Sequence, residues 1–296
     1  MRYIRGREMM GDIEVTPLPE TTFGAEIHGP DLRELDAGSW AGIEQAFNEY
    51  GVLVFHDQSL GRDEQISFAH RFGEIEVQDT NTMRPDLVGK PIVLDISNVD
   101  QNGVHIKDRH HPQTRFLGGN EGWHSDSSFK VVSAKASVLH AIEVPSTGGR
   151  TGYADMRAAY DELPDSDKAA LEGLSVFHSL EYSQAAVGAT DTKPATEPSD
   201  MNGAWHPLVR RHPATGRRSL FIGRHACQVE GMSVAEGQAL LERLLEAACA
   251  LPRTYYHAWR PGDVVIWDNR CVLHRATSWD LAERRVLRHI RVAGEG

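Results

Sequence analysis

Apolar and polar residues alternate in the run IEVTPL at 13–18, the period of a strand with one buried face. The spacing then becomes helical in SWAGIEQAFNEYG, where Gly51 suits the helix end, and VLVFH after it reads as a buried strand. A second helical stretch, RDEQISFAHRFG, is expected to end on Gly73 in the same way. Residues 79–120 are polar and rich in Asn, Asp, His, Gly and Pro, broken only by the strand-like IVLDIS. Irregular segments of that length in a compact domain serve mostly as lids or binding loops.

From His124 onward short strand-like runs dominate: SVLHAIEV, TGYADM, SLFIG, DVVIW, CVLHRA and RVLRHIRV. Helical spacing returns around MRAAYDEL and in SVAEGQALLERLLEAACAL, which opens with Ser233 and Glu236 at capping-box spacing. Residues 185–204 are small, polar and broken by proline, a second lid or mobile loop. No internal repeat and no linker divides the chain. Many short strands with helices between them predict a single β-barrel or jelly-roll domain over residues 1–296, mainly β with helical insertions and lid loops. Met9 and Met10 are alternative starts, so residues 1–11 read as an N-terminal extension.

Composition narrows the function. A formal charge of −11 argues against the basic surface that nucleic-acid binding requires and against a polybasic membrane anchor. No run of 18 apolar residues occurs, and MRYIRGREMMGD lacks the apolar core of a signal peptide. Three widely spaced cysteines, Cys227, Cys249 and Cys271, form no disulfide framework, which places the chain in a reducing cytoplasm.

The chemistry begins at GGNEGWHSDSSF, residues 118–129. If WHSDSSF is extended, alternation puts His124 and Asp126 on the same side, where an imidazole nitrogen and a carboxylate oxygen converge on one ion. A lone His-x-Asp is common and needs a third ligand. His274 in WDNRCVLHRA, after a turn containing Asp268 and Asn269, is the best candidate, although a histidine closing a strand would look the same. Two histidines and one carboxylate are the set that non-haem Fe(II) oxygenases use to leave coordination positions open. Zinc more often takes a closed tetrahedral set or a general base beside its water. In RRVLRHIRV, alternation puts Arg285, Leu287, His289 and Arg291 on one face, and Val286, Arg288, Ile290 and Val292 on the other. Two cations and an imidazole suit a strand that lines an anion site, since arginine donates two parallel hydrogen bonds to a carboxylate. The plainer alternative is an edge strand with solvated arginines.

WHSD, GGRTGYADM, WDNRCVLHRA and RRVLRHIRV occur in this order, with GAEIHGPDLRELD and RFGEIE near the start. Together they resemble the taurine/2,4-dichlorophenoxyacetate dioxygenase family over most of the chain. The spacings agree: Thr151 follows His124 by 27 residues (124 to 151) and Arg285 follows His274 by 11 (274 to 285). The resemblance implies a double-stranded β-helix, Fe(II), 2-oxoglutarate as cosubstrate and O2. It implies that His124, Asp126 and His274 hold the metal, and that Arg285 and Thr151 hold the far carboxylate of 2-oxoglutarate. Asn120 and the backbone near Ser127 match substrate-side positions, and Trp123 stands where it would wall the pocket or simply pack. The partner implied is a small anionic organic substrate, within a homo-oligomer.

The chain departs from the family in two places. Where taurine and phenoxyacetate enzymes carry a second arginine, this chain has His289, with Arg291 on the same face as an alternative anion holder. Gln78 stands where the taurine enzyme has a sulfonate-binding histidine, which argues against taurine. HSLEYSQ at 178–184, IGRHA at 222–226 and RVLRHIRVAG resemble the (S)-aryloxypropionate dioxygenases most. The expected reaction is oxidative decarboxylation of 2-oxoglutarate coupled to hydroxylation of an aryloxyalkanoate, with ether cleavage to a phenol and a 2-oxo acid. The rival readings are an alkylsulfate or sulfonate dioxygenase of the same family, a metal-dependent cupin-like hydrolase or isomerase, and a non-catalytic acid sensor.

Overall fold

A computed structural model of the chain describes residues 6–77, 89–188 and 198–295. Gln78 and parts of the two polar segments lie outside the described residues. The first elements are β1 (Glu8–Met10), β2 (Ile13–Pro17), β3 (Ala25–His28), α1 (Ala37–Tyr50), β4 (Val52–Phe55), α2 (Arg62–His70) and β5 (Val93–Ser97). Next come α3 (Pro112–Gly119), β6 (Ala136–Glu143), β7 (Thr151–Asp155), α4 (Met156–Asp161), α5 (Asp165–Leu171), β8 (Ser175–His178) and α6 (Leu180–Ala186). Then follow β9 (Ala204–Pro207), β10 (Val209–Arg211), β11 (Arg218–Leu220), β12 (Ala226–Val229) and α7 (Val234–Ala248). The chain closes with β13 (Thr254–His257), β14 (Val264–Asp268), β15 (Val272–Ala276) and β16 (Val286–Val292). None of the described helices is long and apolar enough to cross a membrane.

Eight strands form the main sheet in the order β1-β2-β3-β4-β14-β6-β16-β5, and β13-β7-β15 form a smaller one. The alternation read from the sequence decides what each face packs on. Val138 of β6, Ile266 of β14, and Ile290 and Val292 of β16 share a core with Ile43 and Phe47 of α1 and Phe68 of α2. From the other face, Leu139, Val265, Trp267 and Leu287 pack on Tyr153 of β7 and Val272 of β15, so the two sheets enclose a second layer of core. A third core joins α4 and α7 to β8 and β12 through Met156, Leu241, Leu244, Val176 and Val229. Strand β16 lies between β6 and β5 rather than at an edge, so the solvated-edge reading of its arginines falls.

Local chemistry explains the boundaries. Helix α1 starts on Asp36, whose side chain accepts from Ser39 N, and stops at Gly51 in the left-handed region, φ 73°. The buried Arg157 guanidinium then donates to the carbonyls of Asn48, Glu49 and Tyr50, which the helix leaves without partners. Helix α2 ends at His70, before the expected Gly73, because Phe72 turns inward to meet Trp40, Phe47 and Phe68 edge-on. The capping box of α7 is as expected, with Ser233 and Glu236 each serving the other's backbone. Helix α3 was not expected. Its start combines Pro112 in the first turn with the His111 side chain accepting from Gln113 N, a cap that apolar periodicity does not reveal.

Candidate metal and anion site

The two histidines meet through the backbone. His124 N donates to His274 O at 2.9 Å, and His274 N donates to His124 O at 2.8 Å, a single antiparallel bridge. Their rings come to 4.1 Å between centroids. WHSD is therefore not the strand expected: it makes one bridge and then turns, with Ser127 in the left-handed region at φ 52°. The turn still delivers the Asp126 carboxylate, and donor atoms of His124, Asp126 and His274 lie within 4.8 Å of one another, all buried. His124 Nδ1 lies 2.8 Å from Gly122 O, which fixes this nitrogen as the donor and leaves Nε2 with its lone pair facing the cluster.

The electrostatics suit a divalent cation. Burial pushes His124 below its ordinary value and His274 well below it, against the pull of Asp126, which favours the neutral imidazoles that metal ligation needs. Burial alone would raise the Asp126 carboxyl, but His274 and His289, followed by Arg291, hold it well below the usual carboxylate range. His274 Nε2 and His289 Nε2 lie 3.6 and 3.4 Å from Asp126 Oδ2. Two neutral imidazoles and one ionised carboxylate fit a borderline divalent metal with positions left open, as Fe(II) requires.

Tyr153, opposite His274 in the register of β7 and β15 and close enough to feel both Asp126 and Arg285, connects this cluster to a seat for an anion. Arg285 is 2% exposed; its Nε donates to Gly149 O at 3.1 Å, while Nη1 has no hydrogen-bond partner among the described residues. Among the described residues no carboxylate pairs with it, and burial lowers its pKa to about 10. An orphaned, desolvated guanidinium fork fits a bound carboxylate. Asn98 Oδ1 accepts from Arg285 N at 2.8 Å, and the Arg285 side chain lies over Trp279. Gly149, at φ 58°, allows the close approach: a Cβ there would stand 3.1 Å from Arg285 Cδ. Thr151 Oγ1 accepts from Trp259 Nε1 at 3.0 Å, which leaves the threonine hydrogen to donate elsewhere. Tyr153 follows Thr151 by two residues on β7, and its buried hydroxyl lies within reach of the Thr151 side chain. The sequence reading missed Tyr153, although alternation along TGYAD puts it on the face of Thr151.

The substrate-side candidates divide. His289 stacks on Trp267 with ring centroids 5.7 Å apart and planes 6° apart, against the metal cluster. Arg291 Nη1 donates to Ser127 Oγ at 3.0 Å, and the Ser127 hydroxyl reaches both oxygens of Glu76, at 2.9 and 2.8 Å. Lys130 also pairs with Glu76. Glu76 lies in the quoted RFGEIE, but nothing in the sequence marked it as the partner of these residues. Arg288 turns away toward Asp95, as alternation requires. The carbonyl of Asn120 accepts from Ala276 N at 2.7 Å, which fastens the end of α3 beside the strand of His274. Trp123 packs into the third core with Ala154 and Leu273.

One other buried donor set occurs among the described residues: His212, Asp268 and Cys271. Its groups are already engaged. Arg270 donates to both Asp268 oxygens at 2.8 and 2.6 Å, and His212 Nε2 lies 2.8 Å from Oδ2. Burial also pushes the Cys271 thiol up, toward its neutral form. This set is a charge clamp at the β14–β15 turn.

Comparison with known proteins agrees with the geometry. A family model described as taurine catabolism dioxygenase TauD, TfdA family matches residues 14–293. The (S)-phenoxypropionate/alpha-ketoglutarate-dioxygenase of Sphingobium herbicidovorans is 44% identical over 289 residues, 95% of each chain. The alpha-ketoglutarate-dependent 2,4-dichlorophenoxyacetate dioxygenase of Cupriavidus pinatubonensis is 44% identical over 269 residues, 90% of this chain and 93% of the relative. Among solved structures, AAD-2 in complex with Mn(II) and N-oxalylglycine superposes with a TM-score of 0.85 at 39% identity, covering 96% of this chain and 98% of that one. With the match running through nearly all the described strands and through every residue of the cluster, the chain belongs to the TauD/TfdA family of dioxygenases.

Proposed function

We propose that this protein is an Fe(II)- and 2-oxoglutarate-dependent dioxygenase acting on an aryloxyalkanoate of the phenoxypropionate type. The observation that carries this reading is the pairing of two features: a buried His124–Asp126–His274 cluster and, across Tyr153 from it, the Arg285 guanidinium with no counter-ion among the described residues. The membership of the chain in a dioxygenase family and its likeness to enzymes named for phenoxypropionate and dichlorophenoxyacetate support the substrate class. The packing of the main sheet against β13-β7-β15 supports a double-stranded β-helix forming one catalytic domain. Three free thiols support a cytoplasmic setting, and we extend the reading to a homo-oligomer.

In the overall reaction one oxygen atom enters succinate as 2-oxoglutarate loses CO2, and the other enters the substrate. Fe(II), when held by His124, Asp126 and His274, supplies the O2-activating redox chemistry. Arg285 receives the far carboxylate of 2-oxoglutarate with two parallel hydrogen bonds, and the Thr151 hydroxyl adds a third. His289, Arg291, Asn120 and the backbone at Ser127 line the side on which the substrate anion enters. Their role is orientation: the carbon beside the ether oxygen must face the metal. Hydroxylation there gives a hemiketal whose C–O bond breaks, with proton transfer to the departing phenoxide, to yield a phenol and pyruvate.

The test is anaerobic formation of the Fe(II)/2-oxoglutarate complex, followed by its metal-to-ligand charge-transfer band. We expect the band to form and (S)-phenoxypropionate to perturb it. No band would refute the oxygenase reading. A band that answers to alkyl sulfates or sulfonates and not to aryloxyalkanoates would move the substrate to the other branch of the family.

A further inference from the structure

Asp126 is held by a closed ring of hydrogen bonds that begins and ends on itself. Its backbone N donates to Asn269 Oδ1 at 3.1 Å. Asn269 Nδ2 donates to Ser137 Oγ at 2.9 Å, and Ser137 Oγ donates to Asp126 Oδ2 at 2.6 Å. Trp267 Nε1 also donates to Asn269 Oδ1, at 3.0 Å, and Ser125 Oγ donates to Asn269 O at 2.8 Å. Ser125, Ser137, Trp267 and Asn269 are all within 1% of complete burial.

The directions in this ring are fixed. Two N–H donors converge on one atom of the Asn269 amide, so that atom is the oxygen and the other is the NH2 group. Because the NH2 group donates to Ser137, the single serine hydrogen is committed to Asp126 Oδ2. That hydrogen bond requires an acceptor, so the ring favours the ionised carboxylate and sets its rotation about the Cα–Cβ bond. The same hub reaches a second ligand, since the Trp267 indole held by Asn269 packs on the His274 ring at 4.5 Å. The strand register explains why these residues meet: Ser137 on β6 stands opposite Trp267 on β14 and Arg291 on β16.

We infer that Asn269, acting through Ser137, is a positioning residue that presents the Asp126 carboxylate to the metal. The inference rests on the His124–Asp126–His274 reading and assigns roles to two residues outside it. Groups that orient a metal ligand through such contacts change metal affinity by about 10- to 100-fold when removed.

The experiment uses the full chain, with Mn(II) as the probe, in wild type, Ser137→Ala, Asn269→Ala and the double variant. Free Mn(II) is counted by electron paramagnetic resonance, and the thermal midpoint of the metal-free protein is read by circular dichroism. We expect each single variant to lose about 10- to 100-fold in Mn(II) affinity. The double variant should lose little more than one of them, because both act on one carboxylate. Ser137→Thr, which restores the hydroxyl, should recover most of the affinity. Wild-type Mn(II) affinity in whichever alanine variant folds would overturn the inference, as would fully additive losses. Failure of both to fold would also overturn it, by assigning the ring to stability instead. If the wild-type chain itself binds no Mn(II) through His124, Asp126 and His274, the metal reading fails first, so the two failures are distinguishable.

Discussion

Arg291 stands 3.7 Å from Glu76, Nε to Oε2, and so carries a counter-ion, whereas Arg285 has none among the described residues. The two arginines of β16 and its approach thus have different standing toward an incoming anion. Glu76 offsets part of the charge that Arg291 offers to a substrate. Glu76→Gln should strengthen binding of the organic acid by about fivefold, the effect of roughly 1 kcal/mol from a partly buried pair. Arg291→Ala should weaken it, because the wall then loses a cation that faces the incoming anion, while Glu76 stays paired with Lys130. Steady-state succinate formation with varied organic acid measures both, and an Arg291→Ala protein altered only toward 2-oxoglutarate would contradict this division.

Arg285→Ala should raise the 2-oxoglutarate requirement. Loss of a charge-assisted hydrogen bond costs about 1.5–3 kcal/mol, or roughly 10- to 150-fold in affinity. Thr151→Val should cost less, about two- to tenfold, since only one neutral donor is lost. Titration of 2-oxoglutarate into the Mn(II)-loaded protein gives both numbers without turnover. Equal effects from the two changes would mean that the carboxylate is seated elsewhere.

The sequence made some of this legible because period 2 survives into three dimensions. Alternation in RRVLRHIRV separated Arg291 from Arg288, and β16 puts them on opposite faces, toward Glu76 and toward Asp95. Ordered motifs singled out His124, Asp126 and His274, and the fold brings them together. The reason given for the first pair was incomplete: His124 and Asp126 do not sit on a strand, and the convergence comes from a one-residue bridge and a left-handed Ser127. Ser137 and Glu76 stayed invisible because polar residues in an apolar strand or a loop gain meaning only from partners 11 and 51 residues away in the chain. Strands β8, β9 and β12 were also missed, being four residues each and without clear alternation.

Replacing His124 or Asp126 by alanine should abolish iron-dependent succinate release while the far-UV circular dichroism stays that of a folded protein. The three side chains sit beside the apolar layers and belong to none of them, so their loss removes ligands and not core. Chelation should stop turnover in the wild type, and Fe(II) should restore it where Zn(II) does not, since the oxygenase needs a redox metal. Full retention of 2-oxoglutarate decarboxylation in either variant would contradict the ligand assignment.

Asp268 links the site's supporting turn to pH. Burial would raise its carboxyl, but the fork of Arg270 and the bond from His212 outweigh burial and bring it down to about 2. The folded value lies below the unfolded one of about 3.9, so the folded chain binds fewer protons between these values. The stability this provides is present in full above about pH 4 and is lost as pH falls through 2; about two units correspond to roughly 2–3 kcal/mol. Asp268→Asn leaves the Arg270 guanidinium without its carboxylate and should cost about 3–5 kcal/mol at pH 7. Below pH 4 the wild type gives up its advantage and the variant has none to lose, so the gap between them should narrow. Urea unfolding of both proteins at pH 7, 5 and 3.5 measures that gap, and a difference independent of pH would show that the clamp works through packing alone.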